Sequence, residues 1–281
     1  MKNPFVKFFA VCTLASTIIV SVPETWLPQR IGTVQASTTI VPGPRMKLGG
    51  SAASDPIGYP NTISGLVYIW TADSITTLND GDPVSTWVDL KSGNVATASG
   101  TARPTWRTNA AGAKPALVFD GTTDTLSISN TITLSITSGF TVIGLWSYNG
   151  GSGTKYLISK TGAGAGGIRI DTPGAQWFEY DGTAFPSSNP NSFSGTNAGV
   201  GFFRYSSGNK AQFRQNISDI GNPATALVAD IGINVIGSFG GTTQFFLGNL
   251  ESLLIYSREL TATECGNLYT NWHKVRVTTL P

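Results

Sequence analysis

Histidine is nearly missing from this chain: His273 is the only one among 281 residues. Cysteine is almost as scarce, with Cys12 in an apolar run near the N-terminus and Cys265 near the C-terminus. So few nitrogen and sulfur ligands exclude an ordinary zinc site. No intradomain disulfide can form if the N-terminal run is removed. Hydrolytic triads lack their parts as well. There is no G-x-S-x-G elbow, because Gly150-Gly151-Ser152-Gly153 runs on into Thr154. His273, beside Lys274, reads as a partner of a helix dipole or as a solvent-exposed side chain. Cys265 reads as a small buried hydrophobe. Charge is the third scarcity, at 12% of residues. Residues 37–281 carry as many basic as acidic side chains, with no Lys/Arg cluster. Such a domain has no electrostatic footprint for nucleic acid.

Glycine, by contrast, is plentiful at 33 residues, and aromatics make up 10%. This composition suits many strands joined by many turns. From Gly65 onward an apolar segment recurs roughly every ten residues, the spacing of a sandwich. Leu66 to Trp70, Thr86 to Asp89, Ala116 to Phe119 and Phe140 to Trp146 lead the series. Tyr156 to Ile158, Ile168 to Ile170, Gln176 to Tyr180, Val200 to Tyr205 and Ile233 to Phe239 continue it. Asn79-Asp80-Gly81-Asp82-Pro83 and Asp120-Gly121 read as turns between them. The expectation is one all-β domain over 65–281, a two-sheet antiparallel jelly-roll sandwich. Gly162 to Gly167 matches G-x-G-x-x-G in form. A phosphate loop needs a helix after it, and here the alternating Ile168-Arg169-Ile170-Asp171 follows, so a hairpin loop is expected.

The chain is organised around FLGNLESLLIYSRELTATECGNLYTNW, Phe246 to Trp272. Strict alternation would place Leu250, Leu254 and Tyr256 on one face of a strand, Leu253 and Ile255 on the other. Apolar residues on both faces mean a strand covered on both sides. Thr261-Ala262-Thr263-Glu264 has the form of a capping box. Cys265, Leu268, Tyr269 and Trp272 then repeat as one apolar stripe, a short C-terminal closing helix.

The N-terminal segment, residues 1–36, resembles an export signal. Lys2 and Lys7 precede the apolar run Phe8 to Val22, which is too short for a membrane span of ~20 residues. Val34-Gln35-Ala36 offers a small-residue cleavage site, well downstream of that run. Either the segment is cleaved, or it stays as an anchoring or assembly arm. Residues 37–64 read as a linker arm, broken by Pro42, Pro44, Gly49, Gly50, Pro56, Gly58 and Pro60.

Four stretches resemble the LamG-like jelly-roll family of the concanavalin A-like lectin/glucanase superfamily. They are GLVYIWTADSITTLNDGDPVSTWVDLKSG at 65–93, RPTWRTNAAGAKPALVFDGTTDTLSI at 103–128, FTVIGLW at 140–146 and GNLESLLIYSRELTATECGNLYTNW at 248–272. The resemblance implies the fold. It says less about function, because this fold carries lectins, adhesion modules, glycosidases and virion proteins. Glycosidases of the superfamily set E-x-D-x-E or E-x-D-x-x-E on one strand. Glu179 and Asp181 have that spacing, but the third position is Thr183 or Ala184, which leaves the acid/base role empty. The chain is therefore expected to be no enzyme. Many relatives bind calcium at a loop edge. Asp80, Asp82, Asp120 and Asp124 offer hard oxygen ligands for it, though no linear motif joins them and Asp-Gly turns account for Asp80 and Asp120 without metal. No other cofactor is expected.

A sugar site needs an aromatic face and amides or carboxylates for hydroxyls. The long polar stretch Trp177 to Asn197 supplies both, with Trp177, Tyr180, Phe185, Asn189 and Asn191 as candidate ligand-binding residues. Core packing is the competing role for Trp177. Two functions are expected. One is a non-catalytic module, extracellular or on a virion, that attaches to glycan or a cell surface. The other is a structural virion protein whose partners are neighbouring subunits, engaged through residues 1–64.

Overall fold

A computed structural model describes residues 57–149, 153–162, 167–170, 177–179, 199–206, 212–215, 218–221 and 229–276. The strands are, in chain order, β1 (Leu66–Thr71), β2 (Thr86–Val88), β3 (Val95–Thr97), β4 (Thr105–Ala111) and β5 (Lys114–Asp120). Next come β6 (Leu126–Leu134), β7 (Phe140–Tyr148), β8 (Lys155–Ser159), β9 (Gly167–Ile170) and β10 (Trp177–Glu179). The series ends with β11 (Gly199–Tyr205), β12 (Gln212–Gln215), β13 (Ser218–Gly221), β14 (Ile231–Ile236) and β15 (Leu247–Tyr256). They build two antiparallel sheets, as the turn-punctuated apolar pattern requires. The first sheet runs β13-β12-β11-β7-β15-β5-β4, with β1 also paired to β15. The second runs β10-β9-β8-β14-β6-β3-β2. The Gly162 to Gly167 stretch joins β8 to β9, an antiparallel pair, so a strand follows it and not a helix.

Between the sheets lies one apolar core, in which Trp70, Trp87, Phe119, Trp146, Phe203 and Leu253 are all buried. A second core lies on the far side of the first sheet. There Ile69, Ile143, Phe202, Leu254 and Tyr256 meet the C-terminal helix. Two covered faces explain why every residue of β7 is buried.

β15 is the spine of this arrangement. One edge pairs with β7 along its length. The other pairs with β5 over Leu247 to Leu250 and with β1 over Ser252 to Tyr256. A bulge falls between these halves, at Glu251. An extra residue shifts the alternation by one. Leu250 therefore faces the inter-sheet core with Leu253 and Ile255, while Leu254 and Tyr256 face the helix. This corrects the strict alternation, which set Leu250 with Leu254.

The helix forms as its cap dictates. The backbone N–H of Glu264 donates to Thr261 Oγ1 at 3.2 Å, and the N–H of Thr261 donates to Glu264 Oε2 at 2.8 Å. α1 (Ala262–Leu268) continues into a π turn (Tyr269–His273) and α2 (Lys274–Arg276). Cys265, Leu268, Tyr269 and Trp272 are all buried. Packing on this side begins before the first strand. Ile57 and Ile63 join the second core, and the Tyr256 hydroxyl donates to the Pro60 carbonyl at 3.0 Å. The last residues of the 37–64 segment are thus part of the folded body.

Candidate functional site

The four candidate calcium ligands fall into two separate turns. Asp80 accepts from the Thr108 N–H at 2.9 Å and pairs with Arg107 at 3.1 Å, both side chains about half exposed. The Thr108 N–H, with Arg107 adding, holds the Asp80 carboxyl below the ordinary carboxylate range. Asp82 accepts from the Asn79 N–H at 2.8 Å. Asp120 and Asp124 cap each other: the Asp120 N–H donates to Asp124 Oδ2 and the Asp124 N–H to Asp120 Oδ1. At Asp120 burial raises the carboxyl pKa, but donors from Thr122, Thr123 and Asp124 outweigh it and leave it depressed. Burial raises Asp124 to about 6, with the Asp120 charge adding to the rise. Among the described residues no three acidic, histidine or cysteine side chains converge to hold a metal ion. Asp82, Asp120 and Asp124 serve their own turns, and Asp80 ties its turn to β4.

Of the candidate sugar-binding residues, Trp177 begins β10, with its backbone opposite Ile170. Tyr180, Phe185, Asn189 and Asn191 lie outside the described residues.

The structure adds two features that sequence pattern did not single out. The first is the outer face of β2, β3 and β6. Thr86 pairs with Thr97, and Thr97 with Ser127, so three hydroxyls line up across three strands. Ser129, Thr131 and Thr133 continue exposed along β6, and no strand of this face carries a charged residue. Alternation along β6 was readable; the pairing of β2, β3 and β6 was not.

The second is a cleft of about 180 Å³ where β1, the end of β6 and the start of β7 meet. Val67, Tyr68, Ile132, Leu134, Phe140 and Ile255 line it, with Ser135, Ser138 and Ser257. A bulge at Val67 shapes it, because Leu66 pairs with Tyr256 and Tyr68 with Ile255. The extra residue turns both Val67 and Tyr68 toward the inter-sheet side, where they are half-buried. Tyr68 is stacked on Trp70, centroids 5.7 Å apart and planes 11° from parallel.

Beneath the C-terminal helix is a buried polar cluster. His273 is fully buried, so neither the exposed nor the dipole-partner role fits. The π turn swings it inward, against Trp272 at 4.6 Å and Phe202 at 6.3 Å between centroids. Neither ring nitrogen has a hydrogen-bond partner. Burial, with Arg276 adding, pushes its pKa down to about 3. Arg276 donates to Glu251 and to Asp73, the latter at 2.8 Å. Burial pushes the Glu251 carboxyl up, against the pull of Arg276. Glu251 is the bulge residue at the fork between β5 and β1, where the sheet leaves room for it. His273 and Glu251 lie at the buried end of the cluster, while Arg276 and Asp73 are partly exposed.

No protein-family model and no curated protein matches this sequence. Among solved structures, the fold is similar to a Trypanosoma rangeli sialidase in complex with sialic acid. Identity is 16% over 76% of this chain and 34% of that one, with a TM-score of 0.54. It is similar to the binding domain of Paraclostridial Mosquitocidal Protein 1 as well, with 13% identity over 74% of this chain and 52% of that one and a TM-score of 0.54. The chain thus spans only part of each of these proteins. Likeness at such identity establishes the two-sheet fold.

Proposed function

We propose that this domain is a non-catalytic binding module of the LamG-like, concanavalin A-like kind, displayed outside a cell or on a virion, and that it attaches to neutral glycan. The observation that carries the reading is the uncharged hydroxyl row Thr86–Thr97–Ser127 and its continuation along β6. Hydroxyls both donate and accept, which matches sugar hydroxyls, and β2, β3 and β6 themselves carry no charge to favour a polyanion. The shared fold with a domain described as a binding domain supports it by analogy alone. The missing second glutamate near Glu179 supports a role without hydrolysis.

The test is retention of the full chain on immobilised neutral and anionic polysaccharides, with a Thr97→Glu/Ser127→Glu variant beside it. The expected result is binding to a neutral polysaccharide that weakens at least about tenfold in the variant, a loss of about 1.4 kcal/mol. Preference for polyanions, or equal binding by the variant, would overturn the assignment to this face. Release of reducing ends would overturn the non-catalytic reading.

A second reading, attachment to neighbouring subunits through residues 1–64, is favoured by the apolar run Phe8 to Val22. A stretch of that size gains by burial against a partner.

A further inference from the structure

The cleft beside Tyr68 has a shape and a lining that the flat hydroxyl face does not explain. A cavity of about 150 Å³ accepts one benzene ring. The cleft, at about 180 Å³, has room for one six-membered ring and little more. Its lining is of two kinds. Val67, Ile132, Leu134, Phe140 and Ile255 belong to or pack on the inter-sheet core. Ser135, Ser138 and Ser257 supply hydroxyls. The Ser138 and Ser257 hydroxyls donate to carbonyls only at 3.4 Å, which leaves them free to turn to a stronger acceptor. Gly139 fits a close backbone approach beside the cleft. Its φ is +76°, and a Cβ there would sit 2.7 Å from the Tyr205 carbonyl oxygen. β6 runs from the hydroxyl face into this cleft: Thr133 is exposed on that face, and Ile132, Thr133 and Leu134 line the cleft.

We propose that the cleft seats one ring of a bound glycan, and that the ring is a pyranose carrying a methyl group. This rests on the glycan-binding reading above. An unsubstituted hexose has hydroxyls around its rim. One pressed against the apolar floor loses its water and gains no partner. A methyl group at that point removes the penalty and adds apolar burial, while the remaining hydroxyls meet the serines. Tyr68, held by its stack on Trp70, supplies the aromatic wall. The methyl has two chemical sources, the C6 of a 6-deoxyhexose and the acetyl of an N-acetylhexosamine.

Calorimetric titration of the full chain separates the possibilities. The probes are a free 6-deoxyhexose, a free N-acetylhexosamine and the parent hexose. At least one methyl-bearing ring is expected to bind ~4-fold or more tighter than the parent, the worth of one buried methyl group. Whichever arm does so identifies the source. Ser138→Trp fills the exposed mouth, and Tyr68→Ala removes the wall; each is expected to abolish the preference. An unchanged thermal midpoint for Ser138→Trp shows that the fold survives. No preference for the methyl-bearing rings, or a preference that survives Ser138→Trp, overturns the proposal. If polysaccharide is retained with no such preference, the cleft assignment falls and the glycan reading stands. If no saccharide of any size binds, both fall.

Discussion

His273 has both ring nitrogens unbonded and no exposure, with the Arg276 guanidinium contributing to a positive environment. Its proton equilibrium is therefore a stability matter. In the unfolded chain the imidazole takes a proton below about pH 6.5. In the folded protein it stays neutral down to about 3. Between those values the unfolded state binds more protons, so stability is whole above 6.5 and falls as pH drops through the window. By pH 5 the loss from this one residue is about 2 kcal/mol. His273→Leu should remove that part of the acid sensitivity. Urea midpoints at pH 7 and pH 5 check it: the wild-type drop should exceed the variant's, and equal drops would mean that the imidazole titrates as if exposed. Residue order alone does not mark this burial. His273 lies one position past the Cys265–Leu268–Tyr269–Trp272 stripe, and only the wider π turn brings it inward with Trp272.

The C-terminal helix is held by apolar contact and by charge, and the two can be separated. Trp272 is 7% exposed and lies against the second core. Trp272→Ala is expected to destabilise the domain by about 3–5 kcal/mol, as other buried aromatic truncations do. A loss within about 0.5 kcal/mol, the range of surface changes, would place the stripe in solvent. Arg276 is the charged fastener, holding Glu251 and Asp73 from α2. Arg276→Met strands a fully buried carboxylate, with an expected loss of about 3–5 kcal/mol. The double variant Arg276→Met/Glu251→Leu should recover most of it, because no fully buried charge is left unpaired, the Asp73 side chain being 31% exposed. A double variant as unstable as the single would show that Arg276 acts through packing on Trp272, whose ring lies 4.7 Å away. The helix, its capping box and its stripe were legible, because local residue order specifies them. The fork of β15 was not. Nothing in LGNLESLLIY marks the bulge until β5 and β1 are known to share one edge. Composition alone points to the loop after Trp177, whereas the cleft depends on the bulge at Val67, a matter of long-range pairing.

At the scale of the whole molecule the question is where the folding unit starts and what the preceding chain does. The strand pattern begins at Leu66, but Ile57 and Ile63 are buried in the second core, and the Pro60 carbonyl satisfies the buried Tyr256 hydroxyl. Two buried isoleucines at ~1.5–3 kcal/mol each, and one orphaned hydroxyl at ~1–3 kcal/mol, make the 57–64 segment worth roughly 4–9 kcal/mol. Domain stabilities run about 5–15 kcal/mol, so a loss of this size puts folding itself at risk. A chain of residues 57–281 is expected to melt within a few degrees of the full protein. A chain of residues 65–281 should melt at least about 10 °C lower or fail to fold, since each kcal/mol moves a domain of this size by ~2–4 °C. Equal melting of the two short chains would show that the segment is draped on the body without supporting it. The same pair resolves the two functional readings. Residues 57–281 keep both cores and lose the apolar run Phe8 to Val22. If assembly or membrane association of the full protein resides in that run, it vanishes in 57–281 while melting is unchanged. If 57–281 still associates, attachment lies on the sandwich, and light scattering of the Thr97→Glu/Ser127→Glu variant tells whether the hydroxyl face is the part that carries it.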